Sequence, residues 1–289
     1  MPQDRPAPAP VAAFKSQLLK WVGSKQKFAH DIIAHFPQRF GTYHEPFLGA
    51  GGVMAVLAPD RGFGSDIYAP LIEIYQSLVT DPALLKAWYA ARWNSFQAGD
   101  RVAVYETIKA RFNAAPNGAD FLFLCRACYG GVVRFRKSNG HMSTPCGSHP
   151  VMPPAAFDRR VDLWHQRSRG MSFARLDYRE AMARARPGDL IYCDPPYSHS
   201  QSILYGAQAF DLEDLFQAIA EARSRSVHVA LSIDGSKKSG QRSCEIAAPP
   251  GLFEREIMVN VGRSMLKRFQ MGGQTLEAEE VSDRLLLTY

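Results

Sequence analysis

The tetrapeptide Asp194-Pro195-Pro196-Tyr197 follows an apolar stretch, Leu190–Cys193, and combines groups that could activate an aromatic amine. Such an amine is a poor nucleophile because its lone pair is delocalised into the ring. The Asp194 carboxylate and the Pro195 carbonyl could accept both of its N–H bonds and draw the nitrogen towards tetrahedral geometry. Two prolines make the turn rigid and present that carbonyl, and the Tyr197 ring offers a surface on which a base can stack. The alternative interpretation is a simple Pro-Pro turn preceded by an acid, a risk that any short motif match carries.

A second candidate is the glycine-rich loop Gly49-Ala50-Gly51-Gly52, which follows a short predicted strand, Thr42–Phe47. Glycines at this point let the backbone pass close to a ligand and turn sharply into a helix. Asp66 ends the next predicted strand, 21 residues after Glu45, which is the spacing at which nucleotide sites place a carboxylate on ribose hydroxyls. Because the loop matches neither GxGxxG nor GxxxxGK[ST], the pattern indicates a nucleoside rather than a phosphate. A tight turn and a solvated acid at a strand end are the alternative interpretation.

The periodicity of apolar residues predicts the elements that would position these two candidates. A strand, a glycine turn, a helix and a second strand form a βαβ unit, which implies a parallel sheet and an α/β fold. In the first part of the chain we predict helices at Ser24–His35 and Ile67–Val79, a helix start at Val53–Leu57, and strands at Thr42–Phe47 and Gly62–Asp66. After residue 170 we predict strands at Met171–Arg175, Leu190–Cys193, Val227–Ser232, Glu256–Val261 and Asp283–Tyr289, and helices at Tyr178–Ala185 and Leu212–Arg223.

The middle of the chain, residues 81–170, has a different pattern and reads as an insertion. Three helical stretches, Leu84–Trp93, Val102–Phe112 and Asp120–Cys128, lead into a polar segment in which Ser138-Asn139-Gly140 predicts a hairpin turn. Residues 121–170 carry eight basic side chains and two acidic ones, a net +6 that equals the charge of the whole chain. Charge concentrated in this way is typical of a surface that binds a polyanion, and a merely solvated basic face is the alternative.

Length and composition limit the class of protein. The 289 residues suffice for one large domain with an insertion, and the apolar runs are too short to span a bilayer. Residues 1–13 read as a Pro/Ala-rich disordered tail rather than a secretory signal. Five cysteines are an odd, sparse set, which favours a reducing, cytoplasmic setting over a disulfide framework. The histidines and cysteines show no metal-ligand spacing, so we expect no metal.

Four motifs in order resemble the Dam-like (class alpha) N6-adenine-specific DNA methyltransferases: LKWVGSK (Leu19–Lys25), EPFLGAGG (Glu45–Gly52), GSDIY (Gly64–Tyr68) and YCDPPY (Tyr192–Tyr197). The similarity extends to ARLDYREAMARA (Ala174–Ala185) and to the final VSDRLLLTY. It implies a Rossmann-like catalytic domain, residues 14–80 and 171–289, that binds S-adenosylmethionine. It also implies that the mostly helical insertion 81–170, with its hairpin, is a DNA target-recognition unit.

The resemblance also implies a role for individual residues around the cofactor. Lys25 would lie near the methionyl carboxylate, Asp66 would hold the ribose hydroxyls, and Ile67 would pack against the adenine ring of the cofactor. Asp194 to Tyr197 would receive the target adenine and form the catalytic set. The cofactor-binding residues would be Trp21, Lys25, Glu45, Phe47, Gly49, Gly51, Asp66, Ile67, Asp177, Tyr178 and Asp194.

For the insertion, the resemblance implies DNA contacts of two kinds. Tyr129 would insert beside the flipped base, and Arg134 would read a guanine, to which an arginine can bond through two hydrogen bonds. Lys20, Arg126 and Lys137 would meet phosphates, which position a protein without specifying sequence; Arg136 is a further expected DNA contact. Gly130 stands where relatives that recognise GATC usually have Asn, so the resemblance does not imply GATC as the recognition sequence.

The expected function is transfer of a methyl group from S-adenosylmethionine to N6 of a flipped-out adenine in double-stranded DNA. Two alternatives stay open at this point: methylation of another exocyclic amine, on cytosine N4 or in RNA, and an inactive DNA-binding module. We expect a monomer or weak dimer, with a cognate restriction endonuclease as a candidate partner and no membrane partner.

Overall fold

A computed structural model describes residues 11, 14–196, 210–237, 242–243, 248–262 and 281–289. Tyr197 and, apart from Val11, the predicted tail 1–13 lie outside these residues. In chain order the strands are β1 (Tyr43–Glu45), β2 (Gly62–Asp66), β3 (Met171–Arg175), β4 (Leu190–Cys193), β5 (His228–Lys237), β6 (Arg242–Ser243), β7 (Arg255–Gly262) and β8 (Val281–Leu287). The helices are α1 (Ala29–Ile33), α2 (Gly52–Leu57), α3 (Ala69–Thr80), α4 (Pro82–Ala98), α5 (Arg101–Ala114), α6 (Gly118–Ala127), α7 (Pro154–Arg167), α8 (Tyr178–Ala183) and α9 (Leu212–Ser224).

The strands form one sheet in the order β3-β2-β1-β4-β5-β8-β7, with β6 paired to β5. The first five strands of this order are parallel, and β8 lies antiparallel between β5 and β7. The predicted α/β fold with a parallel sheet is therefore confirmed. The order reverses between β1 and β4, and open α/β sheets bind ligands at such a point, outside the carboxyl ends of the strands. Glu45 ends β1, Asp66 ends β2, and Asp194 follows β4, so three predicted site residues lie at this edge.

The sequence-based bounds hold best for buried strands and less well for helix ends. β2, β3 and β4 have the predicted limits. The predicted helix Ser24–His35 is instead a 3₁₀ turn, Lys25–Lys27, followed by the short α1. Helix α7 was not predicted, although its residues Phe157, Val161 and Trp164 lie on one helix face and are buried.

The chain between α3 and β3 packs directly on the sheet domain. Asp81, Asp100 and Asn117 each accept the backbone N–H three residues on and so cap α4, α5 and α6. Aromatic residues of this segment, such as Phe121 and Phe157, join the same hydrophobic cluster as Tyr43 of β1. A second cluster covers the other face of the sheet with α8 and α9. The domain boundaries given by sequence stay a prediction, because the core is continuous across them.

No helix in the described part of the chain is long and apolar enough to cross a membrane.

Candidate active site

The glycine loop after β1 packs tightly against the N-terminal segment. Gly49 and Gly51 have φ of 47° and 58°, a left-handed conformation that favours glycine. A Cβ on Gly49 would lie 3.2 Å from Nε1 of Trp21, and a Cβ on Gly52 would lie 2.7 Å from the backbone nitrogen of Gln26. The loop therefore brings the backbone close to the segment that carries Trp21 and Lys25.

Asp66 links this loop to the end of β2. Its Oδ2 accepts the Gly49 N–H at 3.1 Å, and its Oδ1 accepts the Tyr68 N–H at 3.0 Å. Burial raises the pKa of Asp66, and backbone hydrogen bonds oppose that rise because they stabilise the carboxylate. Next to it, the Ile67 side chain is 60% exposed, which is unusual for a large apolar residue. An anchored acid thus lies beside an uncovered apolar surface.

These residues line a cavity of about 210 Å³ at the carboxyl ends of β1, β2 and β4. The cavity gathers residues that are far apart in the chain, from the N-terminal segment to the turn after β4. Of the predicted cofactor and catalytic residues, it is lined by Trp21, Lys25, Glu45, Phe47, Gly49, Asp66, Ile67, Asp177, Tyr178, Asp194, Pro195 and Pro196. Gly51 does not line it; this glycine is the N-cap of α2.

Glu45 is almost fully buried and braces the start of α2. Its Oε2 accepts the Tyr43 hydroxyl at 2.8 Å and the Met54 backbone N–H at 2.9 Å. Burial raises the pKa of Glu45 to about 8, with the nearby charge of Asp194 adding to the rise. Near neutral pH the side chain is therefore mostly protonated. Its hydrogen bonds serve the fold of the glycine loop.

Lys25, which lines the cavity, forms a buried cluster with two carboxylates. Its Nζ lies 2.8 Å from Oδ1 of Asp194 and 3.2 Å from Oδ2 of Asp283, which belongs to β8. The three side chains are 10%, 18% and 8% exposed. Burial lowers the pKa of Lys25, but the two carboxylates outweigh burial and raise it above its usual range. The lysine therefore stays charged and contacts the acid of the Asp-Pro-Pro turn.

On the far side of the cavity, two aromatic rings stack. Phe47 and Tyr178 have ring centroids 5.0 Å apart and an interplanar angle of 27°. The Tyr178 hydroxyl is buried without a hydrogen-bond partner among the described residues, and burial raises its pKa to about 12. Asp177 accepts the Arg179 N–H and so caps α8. An unsatisfied buried hydroxyl that borders a cavity is a position where a ligand could bond.

The insertion contacts this cavity through its hairpin. Phe135 packs edge-on against Tyr68, which lines the cavity, at 5.7 Å between centroids. Tyr129 is 51% exposed and begins a 3₁₀ turn in which Gly130 and Gly131 both have positive φ. A Cβ on Gly131 would lie 3.4 Å from Cβ of Lys20, the residue before Trp21. Tyr129 and Lys20 therefore lie on adjacent parts of the surface.

The predicted hairpin turn is confirmed. Phe135 and Met142 form an antiparallel bridge, and the Gly140 N–H donates to the Arg136 carbonyl at 2.8 Å. Arg134 and Lys137, like Arg136, have exposed side chains. Both Gly and Asn tolerate the left-handed conformation. The backbone at Gly130, with φ of 64°, is therefore one that an Asn could also adopt.

The position of Arg126 differs from the one predicted for a phosphate contact. The residue is only 5% exposed, and its Nη1 donates to the carbonyl oxygens of Gln17 and Leu18 at 3.2 and 2.8 Å. The prediction that Arg126 meets phosphates is therefore wrong: its guanidinium ties α6 to the N-terminal segment. Position on a predicted helix could not reveal this, because the acceptors are more than a hundred residues away in sequence.

Comparison with known proteins decides the family. Residues 21–243 match the family model of D12 class N6 adenine-specific DNA methyltransferases. The chain belongs to this family. It is 30% identical to the DNA adenine methylase of Vibrio cholerae serotype O1 over 74% of this chain and 79% of that one. It is 28% identical to the Retron Ec67 DNA adenine methylase of Escherichia coli, over 75% and 76% of the two chains.

Family membership confirms the resemblance inferred from the motifs and agrees with a Rossmann-like methyltransferase core. It also favours adenine in DNA over cytosine N4 or RNA as the target, because the D12 class is adenine-specific and acts on DNA. Among the described residues no group of three or more His, Cys, Asp and Glu side chains could hold a metal ion.

Asp283, which contacts the cavity residue Lys25, was not among the residues predicted from the sequence of this D12 methyltransferase. The final strand was predicted, but its acid was not selected. The available signal was an acidic residue next to the apolar run Leu285–Leu287, in a strand that ends the chain. An acid that is buried in such a strand needs a partner, and Lys25 is one partner of Asp283.

Proposed function

We propose that this D12 methyltransferase transfers a methyl group from S-adenosylmethionine to N6 of an adenine flipped out of a specific site in double-stranded DNA. The single observation that carries the proposal is the cavity at the switch point of the sheet, which unites the Asp66 end of β2 with the Asp194-Pro195 turn after β4. A nucleoside-binding acid and an amine-binding acid thus border one cavity. We thus propose the roles of the cavity residues, S-adenosylmethionine as the cofactor and double-stranded DNA as the substrate.

The residues around the cavity fit S-adenosylmethionine. Asp66 keeps lone pairs for two ribose hydroxyls while backbone N–H groups hold it in place. The exposed Ile67 side chain offers an apolar surface to an adenine ring. The Tyr178 hydroxyl, buried and unsatisfied among the described residues, would gain a polar partner from a bound nucleoside. Trp21 and the left-handed Gly49 enclose the same side of the cavity.

The amine of the target adenine would be activated by the turn after β4. The Asp194 carboxylate and the Pro195 carbonyl accept the two N–H bonds, which localises the nitrogen lone pair. S-adenosylmethionine, when bound, supplies an activated methyl group on a sulfonium. Orientation of the two reactants then does most of the work, because the donor needs no further activation. Lys25 fixes the Asp194 carboxylate through the 2.8 Å ion pair.

Access to the amine requires that the adenine leave the base stack, at a cost of a few kcal/mol. We propose that residues 81–170 provide DNA recognition, with Tyr129 filling the vacated space and Arg134 reading a guanine. The exposed Lys20, Arg136 and Lys137 would contact DNA around them. Their position beside the cavity through Phe135 and Tyr68 supports this division. A monomer or weak dimer, a cytoplasmic DNA-associated location and a cognate restriction endonuclease complete the proposal.

The test is to incubate the full chain with methyl-tritiated S-adenosylmethionine and unmethylated duplex DNA, digest the DNA to nucleosides and separate them. We expect label in N6-methyldeoxyadenosine and none with the Asp194→Ala variant. Label in methylcytosine, or label only when RNA replaces DNA, would show a different target. Binding of DNA without any transfer would show an inactive module. Modification-sensitive sequencing of genomic DNA from expressing cells would then give the recognition sequence.

A further inference from the structure

We propose that Thr144 is a positioning residue for DNA recognition: its buried hydroxyl fixes the backbone of Arg134, so that the exposed arginine side chain is held in place to read a guanine. The proposal rests on the proposed function, because it concerns the hairpin of the insertion and the role given there to Arg134. It adds a residue that neither the motifs nor the charge of the insertion select.

The Thr144 side chain joins the two arms of the hairpin. Thr144 is 3% exposed, and its Oγ1 accepts the Arg134 N–H and donates to the Val132 carbonyl, both at 2.9 Å. The Ser143 N–H donates to the Arg134 carbonyl, also at 2.9 Å. In a regular antiparallel pair the Arg134 N–H would donate to the carbonyl of the facing residue, Ser143. Here a side-chain oxygen takes that place, so residues 143 and 144 bond to both backbone polar groups of Arg134.

Helix α5 holds the arm of the hairpin that carries Thr144. The hydroxyl of the fully buried Tyr105 donates to the Thr144 carbonyl at 2.9 Å. The Asn113 side chain makes two bonds to the backbone of Met142: it accepts the N–H at 2.7 Å and donates to the carbonyl at 3.1 Å. Asn113 thus bonds to this arm as a neighbouring strand would. Helix α5 fixes the arm, and the Thr144 hydroxyl extends that support to Arg134.

The role proposed for Arg134 depends on direction, which is why its backbone needs this support. A bidentate contact requires two N–H groups of the guanidinium to meet two acceptors on one edge of a guanine. Groups that bind in this way must be held to within about 0.5 Å by the hydrogen bonds around them. A lysine contacts a phosphate as a point charge and tolerates a larger displacement. Loss of the Thr144 hydroxyl should therefore affect Arg134 more than Lys137.

The test removes the hydroxyl and keeps the shape of the side chain. Thr144→Val takes away the partner of the Arg134 N–H and of the Val132 carbonyl, whereas Thr144→Ser keeps the hydroxyl. Full-length variants methylate unmethylated genomic DNA, and modification-sensitive sequencing gives the discrimination between bases at each position of the site. Arg134→Ala marks the base pair that Arg134 reads. There we expect Thr144→Val to lose discrimination roughly threefold, a part of the roughly tenfold loss expected for Arg134→Ala, and Thr144→Ser to keep most of it.

Controls separate this role from a general loss of stability. Thr107→Val makes the same change on α5, where the exposed hydroxyl donates to the Ala103 carbonyl of the same helix, and should leave discrimination unchanged. The dissociation constant of S-adenosylmethionine, measured by calorimetry, should stay the same in the Thr144 variants. If Thr144→Val fails to fold, as judged by thermal unfolding, Tyr105→Phe gives a milder test. It removes the hydroxyl that bonds to the Thr144 carbonyl and should reduce discrimination at the same base pair by about twofold.

Equal slowing at every sequence by Thr144→Val, or a Thr144→Ser variant no better than Thr144→Val, would overturn the proposal. Where Tyr105→Phe replaces Thr144→Val, unchanged discrimination has the same meaning. These outcomes are distinct from failure of the proposed function. If the unaltered chain methylates nothing, the function is wrong, and if Arg134→Ala relaxes no base pair, the reading of a guanine by Arg134 is wrong together with the role of Thr144. If Arg134→Ala relaxes one base pair and Thr144→Val does not, only the role of Thr144 is wrong.

Discussion

The buried cluster in the cavity and the exposed hairpin of the insertion hold their polar side chains in opposite ways. Lys25 and Asp194 are nearly enclosed, and each contacts a charged neighbour at a fixed distance. Arg134 and Lys137 project from a hairpin whose backbone is held, by the Arg134 N–H bond to Thr144 Oγ1 at 2.9 Å for example, while their side chains are exposed. Removal of one charged side chain from the cluster leaves its charged neighbour uncompensated in a low-dielectric site. Removal of a charged side chain from the hairpin leaves a surface that water can solvate.

The largest effect is expected from Asp194→Ala, because the variant removes the proposed amine acceptor together with one of the carboxylates that contact Lys25. Single-turnover methylation should fall by about a thousandfold or more, the size typical for loss of a preorganised electrostatic group. The dissociation constant of the cofactor should change far less. Activity within tenfold of the unaltered chain would contradict the role of Asp194 and remove the contrast between the two regions.

Arg126→Met tests whether the buried Arg126 stabilises the fold rather than contacting DNA. The variant leaves the carbonyls of Gln17 and Leu18 without their donor, so the free energy of unfolding should fall by about 3 kcal/mol. Urea denaturation measures this change. The salt dependence of DNA binding by the folded fraction should stay as it was, because Arg126 makes no phosphate contact; a salt titration of DNA binding checks this. A fall in DNA affinity with unchanged stability would return Arg126 to the DNA interface.

The residues of the cavity could be predicted from the sequence better than those of the insertion. In the cavity the residues follow directly after buried strands, so the apolar run before Asp194 and the glycines after β1 were enough to predict their common edge. The ion pair between Lys25 and Asp283 of β8 could not be predicted in this way, because it depends on the order of the strands in the sheet. In the insertion, charge alone could not separate Arg126, which is buried, from Arg134, which is exposed. Helix α7 was missed because its basic residues dilute the apolar face that Phe157 and Trp164 form.

Arg134→Ala and Lys137→Ala form a matched pair within the hairpin. Loss of Arg134 should reduce discrimination at one base pair by roughly tenfold, since a bidentate contact to guanine contributes about 1–3 kcal/mol. Loss of Lys137 should weaken binding to all sequences alike and reduce the salt slope by about one. Competition binding on a set of single-base variants at several salt concentrations distinguishes the two. If both variants affect every sequence equally, the hairpin positions the DNA without reading it.

The smallest effect on activity is expected from Glu45→Gln in the buried region. This variant tests whether the ionisation of Glu45, rather than its shape, affects stability. Burial raises the pKa of Glu45 to about 8 in the folded chain, above its usual value of 4.5. The folded state thus holds a proton that the unfolded chain releases, and the free energy of unfolding falls as pH rises from about 4.5 to 8. Glutamine can accept the same bonds from Tyr43 and Met54 but cannot ionise, so the variant should lose this part of the pH dependence and be more stable than the unaltered chain near pH 8. Urea midpoints at pH 5, 6.5 and 8 measure the difference between the two chains. Parallel curves would mean that Glu45 ionises in the folded state as readily as in the unfolded one, and burial would then not raise its pKa.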